Sequence, residues 1–344
     1  MCSKKLDSFE VFVRCVTYNH ANYIKEAMNG FTMQQTCFPF VCTIIDDAST
    51  DEEQEVINNY LQEHFDIEDE SIARNEETED YLLTFVRHKT NKNCYFAVLF
   101  LKYNHYSIKK SKEPYIIEWQ DNSKYIALCE GDDYWTDPMK LQKQVDFMES
   151  NKEYTLCFHR AIIIDEMGFN HKFDLDTCED RDYSATELLD KWIAPTASIL
   201  YRSDVRKYKI VGEERFISGD IKLYLCAAST GLVRGNSSVM CAYRVHSDSV
   251  SRSSVFYLSR LKKYPYQYIC ILENFPKIDK RIIQKHLFNY SQELMHTDKG
   301  LGQKMECLKI MLRYCPFLTF RWFFKEYIKG KLYDIKDRIL SFFR

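Results

Sequence analysis

The chain has 344 residues, 45% of them hydrophobic and 15% aromatic, enough for one large α/β domain with an appendage or two modest domains. A net charge of −3 gives no electrostatic reason to expect nucleic-acid binding, and 13 scattered cysteines without a CxxC pair read as free buried thiols in a reducing compartment, not a disulfide framework or zinc site. The stretch MCSKKLDSFE lacks the apolar core of a signal peptide, and no uncharged run approaches the roughly 20 residues of a membrane span, so a chain that is cytoplasmic and soluble, or attached peripherally to a membrane face, is expected.

Residues 10–17, EVFVRCVT, read as a strand that ends in the turn chemistry of Tyr18-Asn19-His20, with Asn22 placed to cap a helix over 23–33. A second strand, 40–45, runs into Asp46-Asp47-Ala48-Ser49-Thr50-Asp51, where Ser49 or Thr50 is placed to cap a helix over 51–64. The acidic stretch 66–80 reads as a loop, 81–86 as a third strand, 94–109 as a helix, and 109–123 as an insertion such as a hairpin over the site. A fourth strand covers 124–129. This alternation predicts right-handed crossovers and a mostly parallel sheet of the nucleotide-binding type.

That fourth strand opens the most informative stretch, KYIALCEGDDYW at 124–135. An apolar run of this kind reads as a buried strand, and Glu130, Asp132 and Asp133 crowd around Gly131 where it ends. Ligands of open α/β sheets bind at the carboxyl ends of strands. Carboxylates gathered there repel one another unless a cation sits among them, and their hard oxygens suit Mg²⁺ or Mn²⁺. A solvated acidic turn leading into the helix after Asp137-Pro138 is the plainer reading.

Further on, a helix is expected over 138–149, a strand over 154–164, a short helix over 187–193, a strand over 197–201, a helix over 221–229 stopped at Gly231, and a strand over 239–245 ending at His246. From about 254 aromatic, Leu and Lys/Arg residues dominate in a helical pattern, placing a boundary near 250 between a domain over 1–250 and a helical region over 251–344. Residues 313–344 carry eight basic side chains against three acidic ones, interleaved with aromatics, which suits either an anionic membrane surface or packing on the catalytic domain.

Asp46 and Asp47 are placed to accept hydrogen bonds from a base or ribose, as an acid at a strand end does in dinucleotide folds, or to serve as a helix N-cap, a job that Asp51 or Ser49 could do without both acids. There is no GxGxxG after the first strand and no GxxxxGK[ST], which argues against a dehydrogenase and a P-loop NTPase. Asp220, before a helix, reads as an N-cap or as a general base. His246 reads as a structural histidine or a metal ligand, and Arg244 as a surface residue by default, or as a partner of a phosphate or of one of the acids named above.

Together these pieces resemble family 2 glycosyltransferases with the A-type fold, of the kind that builds bacterial surface polysaccharides. Thr17-Tyr18-Asn19, DDAST at 46–50, KYIALCEGDDYWTDPMKLQKQVDF at 124–147, GD at 219–220 and YRVHSDSVS at 243–251 occur in the family's order and span residues 10–250. The resemblance implies a Rossmann-like, mostly parallel central sheet flanked by helices, with a helical C-terminal region. It implies that Thr17, Tyr18 and Asn19 line the nucleotide pocket and that Asp46 or Asp47 contacts base and ribose. Glu130, Asp132 and Asp133 stand at the Asp-x-Asp metal motif, with Asp132 the direct ligand and a contact to the nucleotide sugar, and His246 supplies a late histidine to the same metal. Asp220 matches the catalytic base, although Gly219 replaces the Glu that commonly precedes it.

The expected function is an inverting transferase, of hexosyl or N-acetylhexosaminyl type and dependent on Mn²⁺ or Mg²⁺. It takes a sugar from a nucleotide-sugar donor, a UDP-sugar above all, to a glycan or lipid-linked acceptor at the inner face of the membrane, with Arg244 beside the donor's phosphates. Two other classes are weighed. A nucleotide-sugar-binding module without transfer activity would not need Asp220; the other class is a metal-dependent nucleotidyltransferase or sugar-nucleotide hydrolase, and nucleotidyltransferases of similar architecture usually carry a glycine-rich basic loop where this chain has TYNHAN.

Overall fold

The computed structural model describes residues 8–166, 168, 177–246, 254–298 and 300–326. These fall into two compact units, one within Met1–Tyr208 and Leu223–Ser247, the other within Lys209–Lys222 and Asp248–Arg344.

The first unit is built on a ten-stranded sheet. Its strands are β1 (Phe9–Thr17), β2 (Phe40–Asp46), β3 (Arg74–Glu77), β4 (Tyr81–Arg87), β5 (Cys94–Leu101), β6 (Ser123–Leu128), β7 (Tyr134–Trp135), β8 (Tyr154–Asp165), β9 (Leu200–Arg202) and β10 (Leu232–Val245). They lie in the order β3-β4-β5-β2-β1-β6-β9-β8-β10-β7. The central block β5-β2-β1-β6 is parallel throughout, β8 and β10 are parallel to each other, and the remaining pairs are antiparallel. Helices α1 (Ile24–Thr32), α2 (Glu53–His64), α3 (Glu113–Asp121), α4 (Lys140–Ser150) and α5 (Ala185–Asp190) flank the sheet, and α6 (Gly219–Thr230) has residues in both units. Every residue of β2 and β5 is buried, as strands covered on both faces must be. The architecture is the one expected of an A-type glycosyltransferase: a large central sheet with a parallel heart, flanking helices and a helical C-terminal region.

Several local expectations give way. The run CYFAVLFL, read as the start of a helix over 94–109, is the strand β5. Continuous apolarity carries no period, so pairing decides, and β5 lies between β2 and β4 with every side chain buried. The segment 109–123 is no hairpin insertion: it holds α3, with Pro114 in its first turn, Glu113 at its positive end, and Ile116, Trp119 and Gln120 on its buried face. The acidic stretch 66–80 contains the edge strand β3. Neither Asn22 nor Ser49 or Thr50 caps a helix: α1 and α2 start after Tyr23 and Glu52 without side-chain cap bonds.

The second unit contains α7 (Ser254–Leu261), α8 (Tyr264–Asn274), α9 (Lys280–Thr297) and α10 (Leu301–Tyr314), and residues 316–326 are also helical. Asp279 caps α9 by accepting from Arg281 N at 2.9 Å, and Leu261, Leu294 and Cys307 form a small buried cluster. Among the described residues no helix is long and apolar enough to cross a membrane. Residues 327–344, which hold much of the basic aromatic tail, lie outside the described residues.

Candidate active site at the carboxyl ends of the parallel strands

β1 and β2 end together, with Thr17 paired to Asp46, and β6 ends at Leu128, paired to Arg14 of β1, from where the chain runs on along β1. Their following turns therefore meet at one edge of the sheet, where open α/β folds bind ligands. The turn after β6 is held against β1 by Cys129 N to Arg14 O at 3.1 Å and Gly131 N to Val16 O at 3.2 Å. Position 131 accepts only glycine: a Cβ there would lie 2.1 Å from Thr17 Oγ1 and 2.6 Å from Thr17 Cβ.

The other wall comes from β10, which pairs with β7 through Cys241–Trp135 and Ala242–Tyr134. That pairing carries Arg244 and His246 past the acidic turn. Arg244 N donates to Asp133 Oδ1 at 2.8 Å, and Arg244 Nε to the carbonyl of Asp132 at 3.0 Å. The guanidinium is nearly buried. It bonds Glu166 at 2.7 Å and Glu26 at 3.0 Å and lies 4.6 Å from the Tyr23 ring, so here it latches β10 and α1 to the turn. The surface setting expected by default for Arg244 is not the one found, and the acids it pairs with, Glu26 and Glu166, lie outside the acidic turn.

At the centre, His246 Nε2 lies 3.1 Å from Asp132 Oδ2, and His20 Nε2 lies 3.9 Å from the same oxygen. The ligand atoms of His20, Asp132 and His246 are all within 4.8 Å of one another. Glu130 and Asp133, expected beside Asp132, are not part of this group. Burial opposes ionisation of Asp132, but the hydrogen bond from His246 and the charges of His20 and His246 hold its carboxyl below the usual range. Asp133 is pushed well up by burial, with the charges of Asp132 and Glu130 adding to it. His20 is the residue that sequence reasoning missed. It sits in the turn after β1, its ring 5.7 Å from that of His246 and its Nδ1 3.2 Å from Thr17 Oγ1.

A divalent cation fits this donor set. Two imidazole nitrogens and a carboxylate oxygen lie within 4.8 Å of one another, and both kinds of group are ligands that such ions take. His246 Nδ1 is buried and lacks a hydrogen-bond partner among the described residues, so this ring is not fully satisfied by the protein around it.

Thr17 and Asp46 are buried, and Tyr18 is exposed. Asn19 has a φ of 57° and accepts from Thr50 N at 2.8 Å, tying the turns after β1 and β2 together. Asp46 accepts from Ser49 N and Gln54, and burial raises its carboxyl above the ordinary range. Asp47 accepts from the backbone of His105 at 2.8 Å and Tyr106 at 3.1 Å and pairs with Lys112 at 2.9 Å, which anchors the loop between β5 and α3. Asp220 belongs to the second unit, at the start of α6, where its Oδ1 accepts from Ile221 N at 2.9 Å.

No protein-family profile matches the chain. Uncharacterised proteins of Mycobacterium tuberculosis H37Rv and Mycobacterium bovis are each 30% identical to it over 239 residues, covering 70% of this chain. The match spans 60% of the length of those relatives. Among solved structures, S. aureus TarS 1–349 in complex with UDP-GlcNAc superposes with a TM-score of 0.55 at 12% identity, covering 89% of this chain and 80% of that one. The same TarS segment in complex with UDP gives 0.54 at 13% identity over 90% and 82% of the two chains. These likenesses define the class of fold, that of the A-type glycosyltransferases.

Proposed function

We propose that the chain is a metal-dependent, inverting glycosyltransferase that moves a hexosyl or N-acetylhexosaminyl group from a nucleoside-diphosphate sugar, a UDP-sugar first of all, to a hydroxyl of a glycan or lipid-linked acceptor in surface-polysaccharide synthesis. The observation that carries this reading is the convergence of two histidine nitrogens on one Asp132 oxygen at the strand-end edge of a glycosyltransferase-type sheet. The fold shared with TarS, which the neighbouring structures hold with UDP and UDP-GlcNAc, supports a nucleotide sugar as donor.

When bound, a divalent ion supplies a Lewis acid that neutralises the charge developing on the departing diphosphate. Asp132, His20 and His246 would hold it, and two imidazoles beside one carboxylate suit Mn²⁺ better than Mg²⁺, which prefers an all-oxygen shell. Glu130 and Asp133 are supporting candidates from the Asp-x-Asp resemblance, with Asp133 held by Arg244 N in the turn that carries Asp132. Thr17, Tyr18, Asn19, Asp46 and Asp47, at the ends of β1 and β2, bind and orient the nucleotide. Arg244 acts by holding the carbonyl of Asp132 and the carboxyl group of Asp133, and its remaining role toward the donor's phosphates comes from the resemblance. Asp220 takes the proton of the attacking hydroxyl, on the same ground. The C-terminal partner in this reading is an anionic membrane surface: Phe317 and Phe320 are exposed at 75% and 72% beside Arg321 and Lys325.

The test is a panel of UDP- and GDP-sugars incubated with the full chain and Mn²⁺, with release of free nucleotide followed in the wild type, Asp132→Ala and Asp220→Ala. The reading expects slow Mn²⁺-dependent release by the wild type, its loss in Asp132→Ala, and loss of acceptor-dependent transfer in Asp220→Ala. Unchanged release by Asp132→Ala rejects the metal assignment. Tight nucleotide-sugar binding without any turnover in the presence of glycan and lipid-linked acceptors favours a binding module instead.

A further inference from the structure

Glu53, in the first turn of α2, is fully buried, an unusual place for a carboxylate that the proposed chemistry does not use. It is the hub of the turns after β1 and β2. One oxygen accepts from the Thr17 hydroxyl. The other accepts from His20 N at 2.9 Å and from Ser49 Oγ at 2.8 Å, while Ser49 Oγ itself accepts from Asn19 N at 2.9 Å.

Proton counting along this chain is restrictive. An ionised carboxylate only accepts, and a threonine hydroxyl has a single hydrogen. With that hydrogen given to Glu53, Thr17 Oγ1 offers only lone pairs to His20 Nδ1, 3.2 Å away. A hydrogen bond between them then requires the ring proton on Nδ1, which leaves the Nε2 lone pair of a neutral His20 directed to the Asp132 side, where Oδ2 lies 3.9 Å off. Histidines that bind metals are commonly set in this way, by a partner on the nitrogen that does not bind. His246 offers a contrast, since its Nε2 faces Asp132 while its Nδ1 has no partner among the described residues.

We propose that Glu53, acting through the Thr17 hydroxyl, is a positioning residue that holds His20 in the Nδ1–H tautomer, with Nε2 as the ligand atom toward the divalent ion. This rests on the metal reading given above. It also gives Gly131 a reason beyond the turn itself, because any larger residue there would drive Thr17 Oγ1 out of its place between Glu53 and His20.

The test uses the full chain labelled with ¹⁵N-histidine and free of metal, the His20 signals being identified by their loss in His20→Gln. Wild type is expected to show the Nδ1–H tautomer at His20. Thr17→Val removes the relaying hydroxyl at nearly constant volume, and is expected to abolish that tautomer preference and to weaken Mn²⁺ binding, measured by calorimetry with the metal alone, by about 10–100-fold. Thr17→Ser is expected to restore both. Glu53→Ala should behave as Thr17→Val does, and where it fails to fold the Thr17 pair carries the test. An Nε2–H tautomer at wild-type His20 overturns the proposal, as does equal Mn²⁺ affinity in the wild type and Thr17→Val. Mn²⁺ affinity that is the same in the wild type, Asp132→Ala and His246→Ala overturns the metal reading itself, while the metal-free spectra still decide how His20 is held.

Discussion

Lys140 begins α4 with its side chain fully buried, its Nζ 2.7 Å from Gln144 Oε1 and 4.2 Å from the centre of the Trp135 ring. Burial pushes its ammonium down from 10.5 to about 8, with nearby Cys241, Cys129 and Cys157 opposing the shift. At 1.36 kcal/mol for each tenfold change in proton affinity, holding this ammonium in the fold costs about 3 kcal/mol at neutral pH. The sign follows from linkage. The folded value is the lower one, so between about 8 and 10.5 the unfolded chain binds more protons and stability rises with pH. Lys140→Met removes the charge but strips Gln144 Oε1 of its donor, a loss of about 1 kcal/mol, so the variant is expected to be about 2 kcal/mol more stable than wild type near pH 7. Urea unfolding of both proteins followed by tryptophan fluorescence near pH 7 and near pH 9.5 measures the difference. Wild type should recover about 2 kcal/mol relative to the variant over that interval, from about 1.5 pH units above the folded value. Burial keeps the thiols of Cys129, Cys157 and Cys241 protonated in both folded proteins over this interval, so only their titration in the unfolded chains enters, and it is alike in the two. Parallel stability curves, or a variant less stable than wild type at neutral pH, would refute the reasoning.

Gly131→Ala should cost roughly 1–3 kcal/mol by overpacking against Thr17, seen as a lower Tm, and should weaken Mn²⁺ binding as well, because the same displacement disturbs His20. Arg244→Met removes charged hydrogen bonds to Glu26 and Glu166, whose own exposure of 49% and 36% moderates the loss to roughly 1–3 kcal/mol, readable by urea unfolding. In the second unit, Phe317→Glu combined with Phe320→Glu should abolish co-sedimentation of the full chain with anionic vesicles and leave Tm within a degree or two, since both rings are exposed. Unchanged co-sedimentation removes the membrane from the proposed function.

The strand-then-acids pattern of 124–135 was legible because two signals coincide there: an apolar run with β-forming residues, and carboxylates packed more densely than a solvated turn requires. β5 was not, because CYFAVLFL has neither a 3.6 nor a 2.0 period, and only its neighbours β2 and β4 decide its state. His246 could be suspected from its place after a strand. His20 could not, since what gives it meaning is Asp132, 112 positions further on, and the single hint was a histidine in a turn beginning Thr-Tyr-Asn. Glu53 was hidden more thoroughly. In DEEQE it reads as one of several acids favouring a helix N-terminus, and burial alone separates it from Glu52 and Glu55. Arg244 and Asp133 illustrate the same limit, as residues whose chemistry suits a ligand are partly committed to holding the fold.

The central claim is that Asp132 and its two histidines bind a divalent ion on which a nucleoside diphosphate depends. Calorimetric titration of UDP into the full chain, with and without Mn²⁺, in the wild type and Asp132→Ala, tests it most directly. UDP is expected to bind wild type far more tightly with Mn²⁺ than without, and Asp132→Ala to lose this dependence while keeping its Tm. UDP binding that is equally strong without metal, or unchanged in Asp132→Ala, would contradict it.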